Sequence, residues 1–321
     1  MFLRDVLDGE ADDIAAAVEL IAASRCDVLA VSGLDHDHGL AALSAFRDRI
    51  GEAGLDYPHV TSALPNAGLD TGRDLDLDGR LRGARDAQGY GEFAGQGALA
   101  VLSRFEILSA TTFNDLLWRD VPGSLIAPDD PAYDTQRLSS VSHMAVAIET
   151  GTAPLTLLAF HATPPVFDGP EDRNGRRNHD EVLFWTHYLD GVFGTAPERG
   201  FVLAGDANLD PEDGDGRSDA IAALLADRRL QDPMPRSSHA AQAAVSEAGA
   251  NADHTGDPSL DTANWNDGPG EPGNLRVDYV LPSADWIVAD TGVLWGSGPA
   301  APRHGLVWVD LVPPSGTGAE G

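Results

Sequence analysis

The chain has 321 residues, of which 42% are hydrophobic and 22% are charged, and this globular composition excludes disorder or a collagen-like structure as its main state. No apolar stretch approaches the roughly 20 residues that a membrane-spanning helix needs. The net charge is −30 and all 21 basic residues are Arg, which excludes a Schiff-base lysine and a Lys-type phosphate loop. The negative charge also disfavours binding to bulk DNA and fits adaptation to salt or a solubility device.

Two features of the sequence bear on its compartment. Cys26 is the one cysteine, so no intramolecular disulfide can form, and its place before an apolar run indicates a core residue. The first residues, MFLRDVLDGEADD, are acidic where a signal peptide would have a basic and then an apolar region. No export signal is visible, so the localisation stays open between secretion, if the start of the chain is truncated, and otherwise the cytoplasm.

Apolar periodicity predicts helices and strands that alternate along the chain. In chain order, the sequence predicts a helix at 10–25, a strand at 27–31, a helix at 39–51, strands at 98–103, 141–149 and 155–160, a helix at 178–189, a strand at 201–204, a helix at 218–225, and strands at 276–281, 286–293 and 306–311. Two long polar loops, at about 63–96 and 235–273, interrupt them. We therefore predict one domain over residues 1–321, with two packed sheets, outer helices and a site built from loops at one rim.

Polar residues follow or lie in the predicted strands at three places, and a fourth polar motif stands near the C-terminus. They are His161 in LLAFHATPP, Asp206 and Asn208 in FVLAGDANLDP, Asp278 in RVDYVL, and His304 in RHGLVWVDL. These residue types suit phosphoester hydrolysis, because imidazoles stabilise charged oxygens, a carboxylate activates water and an amide fixes its orientation. Each also has a plainer interpretation: GDAN is ordinary Asx-turn sequence, His161 suits a core histidine, and Asp278 alternates inward, where it needs a partner.

The order of these motifs resembles the endonuclease/exonuclease/phosphatase superfamily, which has the deoxyribonuclease I-like fold. GDAN at 205–208 is similar to that family's GDxN, VDY at 277–279 to its (I/V)D(Y/W/H) strand, AFHATPP to its buried-strand histidine, and GALAVLSRF at 97–105 to its G-x-x-x-x-S-R/K strand. GDxN alone is a weak signal, but the four motifs together follow the family order between residues 11 and 311. The resemblance implies an α/β protein with a four-layer α/β/β/α sandwich.

The resemblance also implies a role for each polar residue of these motifs. Asp206 would be the general base that deprotonates the attacking water, and Asn208 would orient that water and the phosphate. His304 would bind the phosphate oxygens, with its tautomer held by Asp278, and His161 would contact the phosphate from the other side.

Three departures from the family pattern all concern the divalent metal. Where relatives have Gln-Glu after the strand DVLAV, with Glu as the main metal ligand, this chain has Ser32 and Gly33. Where most relatives have Ser-Asp-His, the residue before His304 is Arg303. The family also opens with a strand that ends in an Asn near the metal, and this chain begins where the following helix would stand.

Three hypotheses account for these departures. Arg303 could replace the missing cation, because a guanidinium binds phosphate bidentately. Asp35, two residues after Gly33 and so on the same face of an extended strand, could recover the metal with a longer reach or through water. The protein could also keep the fold and bind a phosphorylated ligand with little or no turnover.

A second acidic motif resembles the opening of a calcium loop. Asp74, Asp76, Asp78 and Gly79 form D-x-D-x-D-G, in which alternate oxygens wrap one ion and Gly permits the sharp turn. The closing Glu is missing, because the twelfth position is Arg85. A structural Ca²⁺ site and a solvated acidic loop are therefore both open.

We conclude from the sequence that the chain is a metal-dependent phosphoesterase, of nuclease or small-molecule phosphatase type, with Mg²⁺ or Mn²⁺ as its cofactor. The acidic surface favours a small or single-ended phosphoester over long duplex DNA, and neither a membrane nor an obligate protein partner is indicated. The alternatives are a catalytically weakened phosphate-ligand-binding protein of the same fold and an acidic calcium-binding structural domain.

Overall fold

Apolar side chains at alternating strand positions build two stacked β-sheets with helices on their outer faces. The structure is a computed structural model, and it describes residues 2–313. In chain order the elements are α1 (Phe2–Asp8), α2 (Asp12–Ser24), β1 (Val28–Leu34), α3 (Ala41–Glu52), β2 (His59–Ser62), β3 (Ala98–Ser103), β4 (Glu106–Thr112), β5 (Ser142–Glu149), β6 (Pro154–His161), α4 (Arg173–Leu189), β7 (Phe201–Asp206), α5 (Asp219–Leu225), α6 (Ser238–Glu247), β8 (Ala263–Asn264), β9 (Asn274–Leu275), β10 (Asp278–Pro282), β11 (Ile287–Leu294) and β12 (Leu306–Val312).

The larger sheet has the strand order β10-β7-β6-β5-β4. Its β6 and β7 are parallel, and its other neighbouring strands are antiparallel. The smaller sheet has the order β1-β3-β2, and β11 pairs with β12 in an antiparallel ladder. The parallel pair is the pair that brings the carboxyl ends of β6 and β7 to the same edge of the larger sheet.

Successive side chains of a strand point to opposite faces of the sheet, and in each central strand the residues on both faces are apolar. In β6, Leu157 and Ala159 pack into the core between the two sheets. Leu158 and Phe160, the residues that alternate with them, pack on the opposite face beneath α4 and α5. A strand buried on both faces reads as a continuous apolar run, which is why β5, β6 and β7 were predictable from the sequence.

Helices cover the outer face of each sheet. The side chains of Val182 and Trp185 in α4 and Ile221 in α5 are fully buried against the larger sheet. On the other side, Ile21 of α2 and Phe46 of α3 pack in the cluster that covers the smaller sheet. The described residues therefore form four layers in the order helices, sheet, sheet, helices, as predicted. None of the helices in 2–313 combines the length and apolar character needed to cross a membrane.

The structure differs from the predicted elements in several places. The loop predicted at 235–273 contains α6, whose first turn is capped by the Ser237 hydroxyl, which accepts from the backbone N–H groups of His239 and Ala240. The helix predicted at 10–25 begins at Asp12, after Gly9 separates it from α1 with a φ of 68°. Strands β2 and β4 were not predicted, because short or mostly exposed strands carry little apolar alternation.

The loop predicted at 63–96 contains, among its described residues, one short 3₁₀ turn at Ala84–Asp86 and isolated bridges in place of longer strands or helices. Buried polar groups organise it. The Asn66 amide donates to the carbonyls of Asn114 and Ser139, both at 2.8 Å, and the buried Asp86 carboxylate accepts from the backbone N–H of Leu75 at 2.8 Å. The loop is thus tied to the molecule by side chain to backbone bonds.

Candidate active site

Strand register brings three of the predicted site residues to neighbouring positions. His161 at the end of β6 is the register partner of Asp206 at the end of β7, and Asp278 at the start of β10 is the partner of Asp206 on its other side. Residues opposite each other in paired strands project from the same face of a sheet. Because Ala159 and Ala204, two residues earlier in their strands, pack between the sheets, all three side chains stand at the rim of the inter-sheet core.

His304 completes this row from the other end of the chain. Its Nδ1 lies 2.9 Å from Oδ2 of Asp278, so the partner that Asp278 needs is present. The Thr262 hydroxyl lies 2.9 Å from the same Oδ2, and the Trp265 ring stands edge-on to the imidazole at a centroid distance of 5.3 Å. His304 remains 36% exposed and so can meet a ligand from solvent.

The smaller sheet contributes a contact to His161. Oγ of Ser32, in β1, lies 3.0 Å from Nδ1 of His161, while Oδ2 of Asp206 is 3.8 Å from the same nitrogen. The next residue, Gly33, has a φ of 89°, and a Cβ built there would meet no heavy atom within 4 Å. The two residues at which the sequence departs from the family pattern therefore lie on the strand that faces the site.

Asn208 joins the loops that follow β6 and β7. Its backbone N–H donates to Oδ1 of Asp206 at 2.8 Å, and its side-chain amide donates to Oδ2 of Asp206 at 3.1 Å and to the Ala162 carbonyl at 3.0 Å. The residue adopts a left-handed conformation with a φ of 47°, which Asn tolerates well. GDAN is thus an Asx turn, and the same turn carries the two polar groups into the site.

Like charges and burial set the protonation of this cluster. The Asp206 side chain is only 10% exposed, and its burial, together with the neighbouring Asp278 carboxylate, raises its pKa above the ordinary value. For His304, burial favours the neutral ring, but the charge of Asp278 and its hydrogen bond outweigh that effect and raise the pKa to about 9. His304 is therefore an imidazolium at neutral pH when no cation is bound.

The same cluster offers a ligand set for a hard cation. Asp206, Asp278 and His304 each place one ligand atom within 4.8 Å of the others. Two carboxylates fit Mg²⁺ or Mn²⁺, which prefer oxygen ligands, and an imidazole nitrogen can complete such a set once it has lost its proton. The residues present therefore fit a divalent cation.

Arg303 and Asp35 lie outside this ligand set. The carbonyl of Arg303 accepts from the backbone N–H of Asn264 at 2.9 Å, which fixes its backbone beside His304, while its side chain is exposed and makes no ion pair with any residue of 2–313. The Asp35 carboxylate accepts from the backbone N–H of Phe2 at 3.2 Å. The phosphate-binding role of the first and the metal-binding role of the second stay predictions.

The acidic motif of the first long loop is separate from the rim. Asp74, Asp76 and Asp78 again place ligand atoms within 4.8 Å of one another. Their carboxylates also accept backbone N–H groups of their own turn: Asp74 accepts from Gly79 at 2.9 Å, and Asp78 accepts from Arg80 at 2.7 Å. The geometry is compatible with a structural Ca²⁺ and equally with a self-capped acidic turn, so calcium binding there stays a prediction.

Sequence reasoning did not identify the buried residues of α4 that brace the site. The Asn178 amide donates at 2.7 Å to the carbonyls of both Thr163 and Ala207, and so ties the loop after His161 to the GDAN turn. The Glu181 carboxylate accepts from the backbone N–H of Thr163 at 2.7 Å. Both are completely buried polar residues on the apolar face of the helix, a pattern that could have singled them out.

Comparison with known proteins gives four findings. The model of the Endonuclease/Exonuclease/phosphatase family matches residues 7–315. An endonuclease/exonuclease/phosphatase family protein from Leptotrichia buccalis C-1013-b is similar in structure, with a TM-score of 0.53 and 14% identity over 95% of this chain and 94% of that chain. An endonuclease/exonuclease/phosphatase from Bacteroides vulgatus has a TM-score of 0.51 and 13% identity over 94% and 90%. No curated protein sequence gives a significant match.

Proposed function

Because the chain belongs to the Endonuclease/Exonuclease/phosphatase family, as the sequence motifs predicted, we propose that it hydrolyses a phosphoester at the rim formed by β6, β7 and β10. The strongest support is the meeting of His161, Asp206, Asn208, Asp278 and His304, which come from distant parts of the chain. A carboxylate with a raised pKa can accept a proton from the attacking water, and the two imidazoles beside it can stabilise charge on the phosphate oxygens.

A divalent cation, Mg²⁺ or Mn²⁺, belongs to this proposal because the donor groups fit it. Asp278 and His304, with Asp206 beside them, are the residues that would hold it. When bound, the cation would neutralise charge on the phosphate oxygens. Since His304 carries a proton at neutral pH, cation binding there requires loss of that proton.

The protein groups divide the remaining work. We assign proton transfer to Asp206, since its raised pKa gives the carboxylate a higher proton affinity at neutral pH. The Asn208 side chain, fixed by its bonds to Ala162 and Asp206, orients the water and the phosphate. His161 and the exposed Arg303 donate to phosphate oxygens from two sides of the site.

The substrate that suits this molecule is small or single-ended. With a net charge of −30, the surface repels a long polyanion, whereas one phosphate group needs only the local donors of the rim. This substrate class is part of the proposal.

Hydrolysis of bis-nitrophenyl phosphate tests the proposal. Mg²⁺ or Mn²⁺ should stimulate turnover, and Asp206→Asn or His304→Ala should each reduce it by about 10²–10³-fold, as the loss of a transition-state group does. Asp290→Asn, at an exposed position of β11, is the matched control and should retain full activity.

Measurement of Mn²⁺ affinity distinguishes Asp206 as a proton-transfer group from Asp206 as a metal ligand. Asp206→Asn should lower Mn²⁺ affinity by no more than about tenfold, the cost of changing a group beside the ligands, because Asp278 and His304 are assigned to hold the cation. A variant that loses Mn²⁺ along with activity would make Asp206 a metal ligand.

A phosphate-ligand-binding protein of the same fold is the second candidate, favoured by Gly33 and Arg303, which stand where the resemblance implies acidic metal ligands. It predicts that the parent binds inorganic phosphate but shows no metal-stimulated turnover of bis-nitrophenyl phosphate. Such a result would favour a protein that binds a phosphorylated ligand over one that hydrolyses a phosphoester.

A further inference from the structure

Thr262 lies behind the Asp278–His304 pair, completely buried, in the segment that leads into β8. Its hydroxyl oxygen is 2.9 Å from Oδ2 of Asp278, 3.0 Å from the backbone nitrogen of Val277 and 2.9 Å from the backbone nitrogen of Asp278. One side chain thus contacts both the carboxylate of Asp278 and the backbone that carries it.

The direction of each bond follows from the chemistry of the groups. A hydroxyl has one hydrogen and two lone pairs, and a backbone N–H can only donate. The Thr262 oxygen therefore accepts from the two N–H groups, and its single hydrogen goes to Oδ2 of Asp278. Every hydrogen-bonding capacity of the hydroxyl is used.

The same carboxylate oxygen receives the imidazole. Oδ2 of Asp278 accepts from Thr262 on one side and from Nδ1 of His304 on the other, each at 2.9 Å. A carboxylate oxygen has two lone-pair sites, so these two donors fix its orientation. With Nδ1 engaged, Nε2 is the nitrogen of His304 left to face a ligand.

The backbone of Thr262 holds the two partner segments in place as well. Its carbonyl accepts from the N–H of Gly305, the residue after His304, at 2.7 Å, and its N–H donates to the carbonyl of Leu275 at 3.0 Å. Thr262 therefore bridges β9, which leads into the strand that carries Asp278, and the segment before β12 that contains His304.

We propose that Thr262 is a positioning residue that sets the Asp278 carboxylate, and through it directs Nε2 of the His304 imidazole toward a ligand at the rim. The proposal rests on the proposed phosphoesterase function for its catalytic consequence. Its structural part, the fixed Nδ1–H to carboxylate bond, stands without that function.

Thr262→Val tests it most closely, because valine has the same shape and lacks the hydroxyl. The loss frees the carboxylate on one side and leaves two buried N–H groups without an acceptor. In proton NMR of the metal-free protein, the downfield imidazole N–H signal of His304, assigned by its absence in His304→Ala, should be present in the parent and lost in Thr262→Val.

Kinetics supply the second readout. Thr262→Val should lower kcat for bis-nitrophenyl phosphate by about 10–100-fold with KM nearly unchanged, the effect typical of losing a supporting hydrogen bond. Thr262→Ser, which keeps the hydroxyl, should restore both the signal and kcat. Thr186→Val is the matched control, since the buried Thr186 hydroxyl has no hydrogen-bond partner within 2–313, and it should change neither.

The His304 N–H signal and the kcat of Thr262→Val together decide whether Thr262 positions the pair. If Thr262→Val retains both the His304 N–H signal and kcat, Thr262 does not position the pair. If Thr262→Val does not fold, Thr262→Ala, whose smaller side chain admits water to the two N–H groups, replaces it, with the same expected losses. If the parent itself shows no hydrolysis, the proposed function fails, and the NMR comparison alone decides the positioning.

Discussion

Asp206 and Asp278 face each other across paired strands, and Asp206 is nearly buried. Two carboxylates so placed repel each other. When no cation is bound, attraction to His304, which is held as a cation, and to His161 near Asp206 offsets part of this repulsion. A site that gathers like charges for catalysis is expected to reduce the stability of the fold that carries it.

Asp206→Asn should therefore stabilise the metal-free protein while it reduces hydrolysis by about 10²–10³-fold. Removal of the desolvated charge is expected to increase the free energy of unfolding by about 1 kcal/mol. Urea unfolding in the presence of a chelator measures the change, and Asp290→Asn, an exposed carboxylate, should leave stability unaltered. A destabilised Asp206→Asn would show that its carboxylate contributes more by its hydrogen bonds to Asn208 than it costs by its charge.

Asp261 is a second carboxylate under strain, outside the site. It is 8% exposed, and no described residue donates a hydrogen bond to its side chain. Burial, and then the charges of Asp210, Asp213 and Asp257, raise its pKa from 3.8 to about 7. Because the folded state holds this proton more tightly than the unfolded chain does, the stability it contributes is full below about pH 4 and is lost as the pH rises through 7.

Asp261→Asn should accordingly increase the free energy of unfolding by about 2–4 kcal/mol near pH 8, with the gain fading as the pH approaches 4. Urea unfolding across this pH range measures it. Asp290→Asn, at an exposed position of β11, is the matched control and should leave the free energy of unfolding unaltered over this pH range. A gain for Asp261→Asn that does not depend on pH would contradict the assignment.

At the scale of elements, β1 carries two of the departures from the pattern that the family resemblance implies, at Ser32 and Gly33. Ser32 reaches His161, and Gly33 leaves open space in a backbone conformation with a φ of 89°. A carboxylate supplied from this strand would approach the rim from the smaller sheet, opposite the ligand set of β7 and β10.

Gly33→Glu should therefore tighten Mn²⁺ binding by about tenfold, as an added anionic ligand would, at a cost of about 1 kcal/mol in stability for the left-handed backbone. Calorimetric titration with Mn²⁺ measures the affinity. Gly151→Glu is the matched control, since Gly151 has a φ of 76° and an equally open Cβ position in the turn that precedes β6, at the end of the strand opposite His161. Equal affinities for the two variants would count against a metal at the rim.

The elements differ in how much of them the sequence could predict. β5, β6 and β7 are buried on both faces, so their apolar runs identify them, and the motifs at their ends place His161 and Asp206 at one edge. α6 is rich in alanine and buries little, so its periodicity is weak. Thr262 was missed because its contact with Asp278 spans 16 residues and arises only when the predicted loop folds back on β10.

At the scale of the whole molecule, charge dominates. The net charge of −30 is spread over a surface on which many arginines pair with nearby carboxylates, as in the Arg104–Asp27 and Arg217–Asp172 pairs. The net field of the molecule is therefore negative, and at the rim Arg303 and His304 are the positive groups that could attract a phosphate.

Added salt should then act differently on substrates of different length. Raising the ionic strength from about 50 to 200 mM shortens the range of charge repulsion and should increase the rate on a long duplex DNA by up to about tenfold, while bis-nitrophenyl phosphate turnover changes little. Parallel initial-rate measurements on the two substrates check this. A rate of DNA cleavage that falls as salt is added would indicate instead that a basic surface binds the DNA.

Diffraction from crystals grown with Mn²⁺ and inorganic phosphate tests the central claim most directly. We expect an anomalous peak within bonding distance of Asp278 and His304, with a phosphate against His161 and Arg303. Anomalous density confined to the Asp74–Asp76–Asp78 turn, with no metal and no phosphate at the rim, would contradict a phosphoesterase site there.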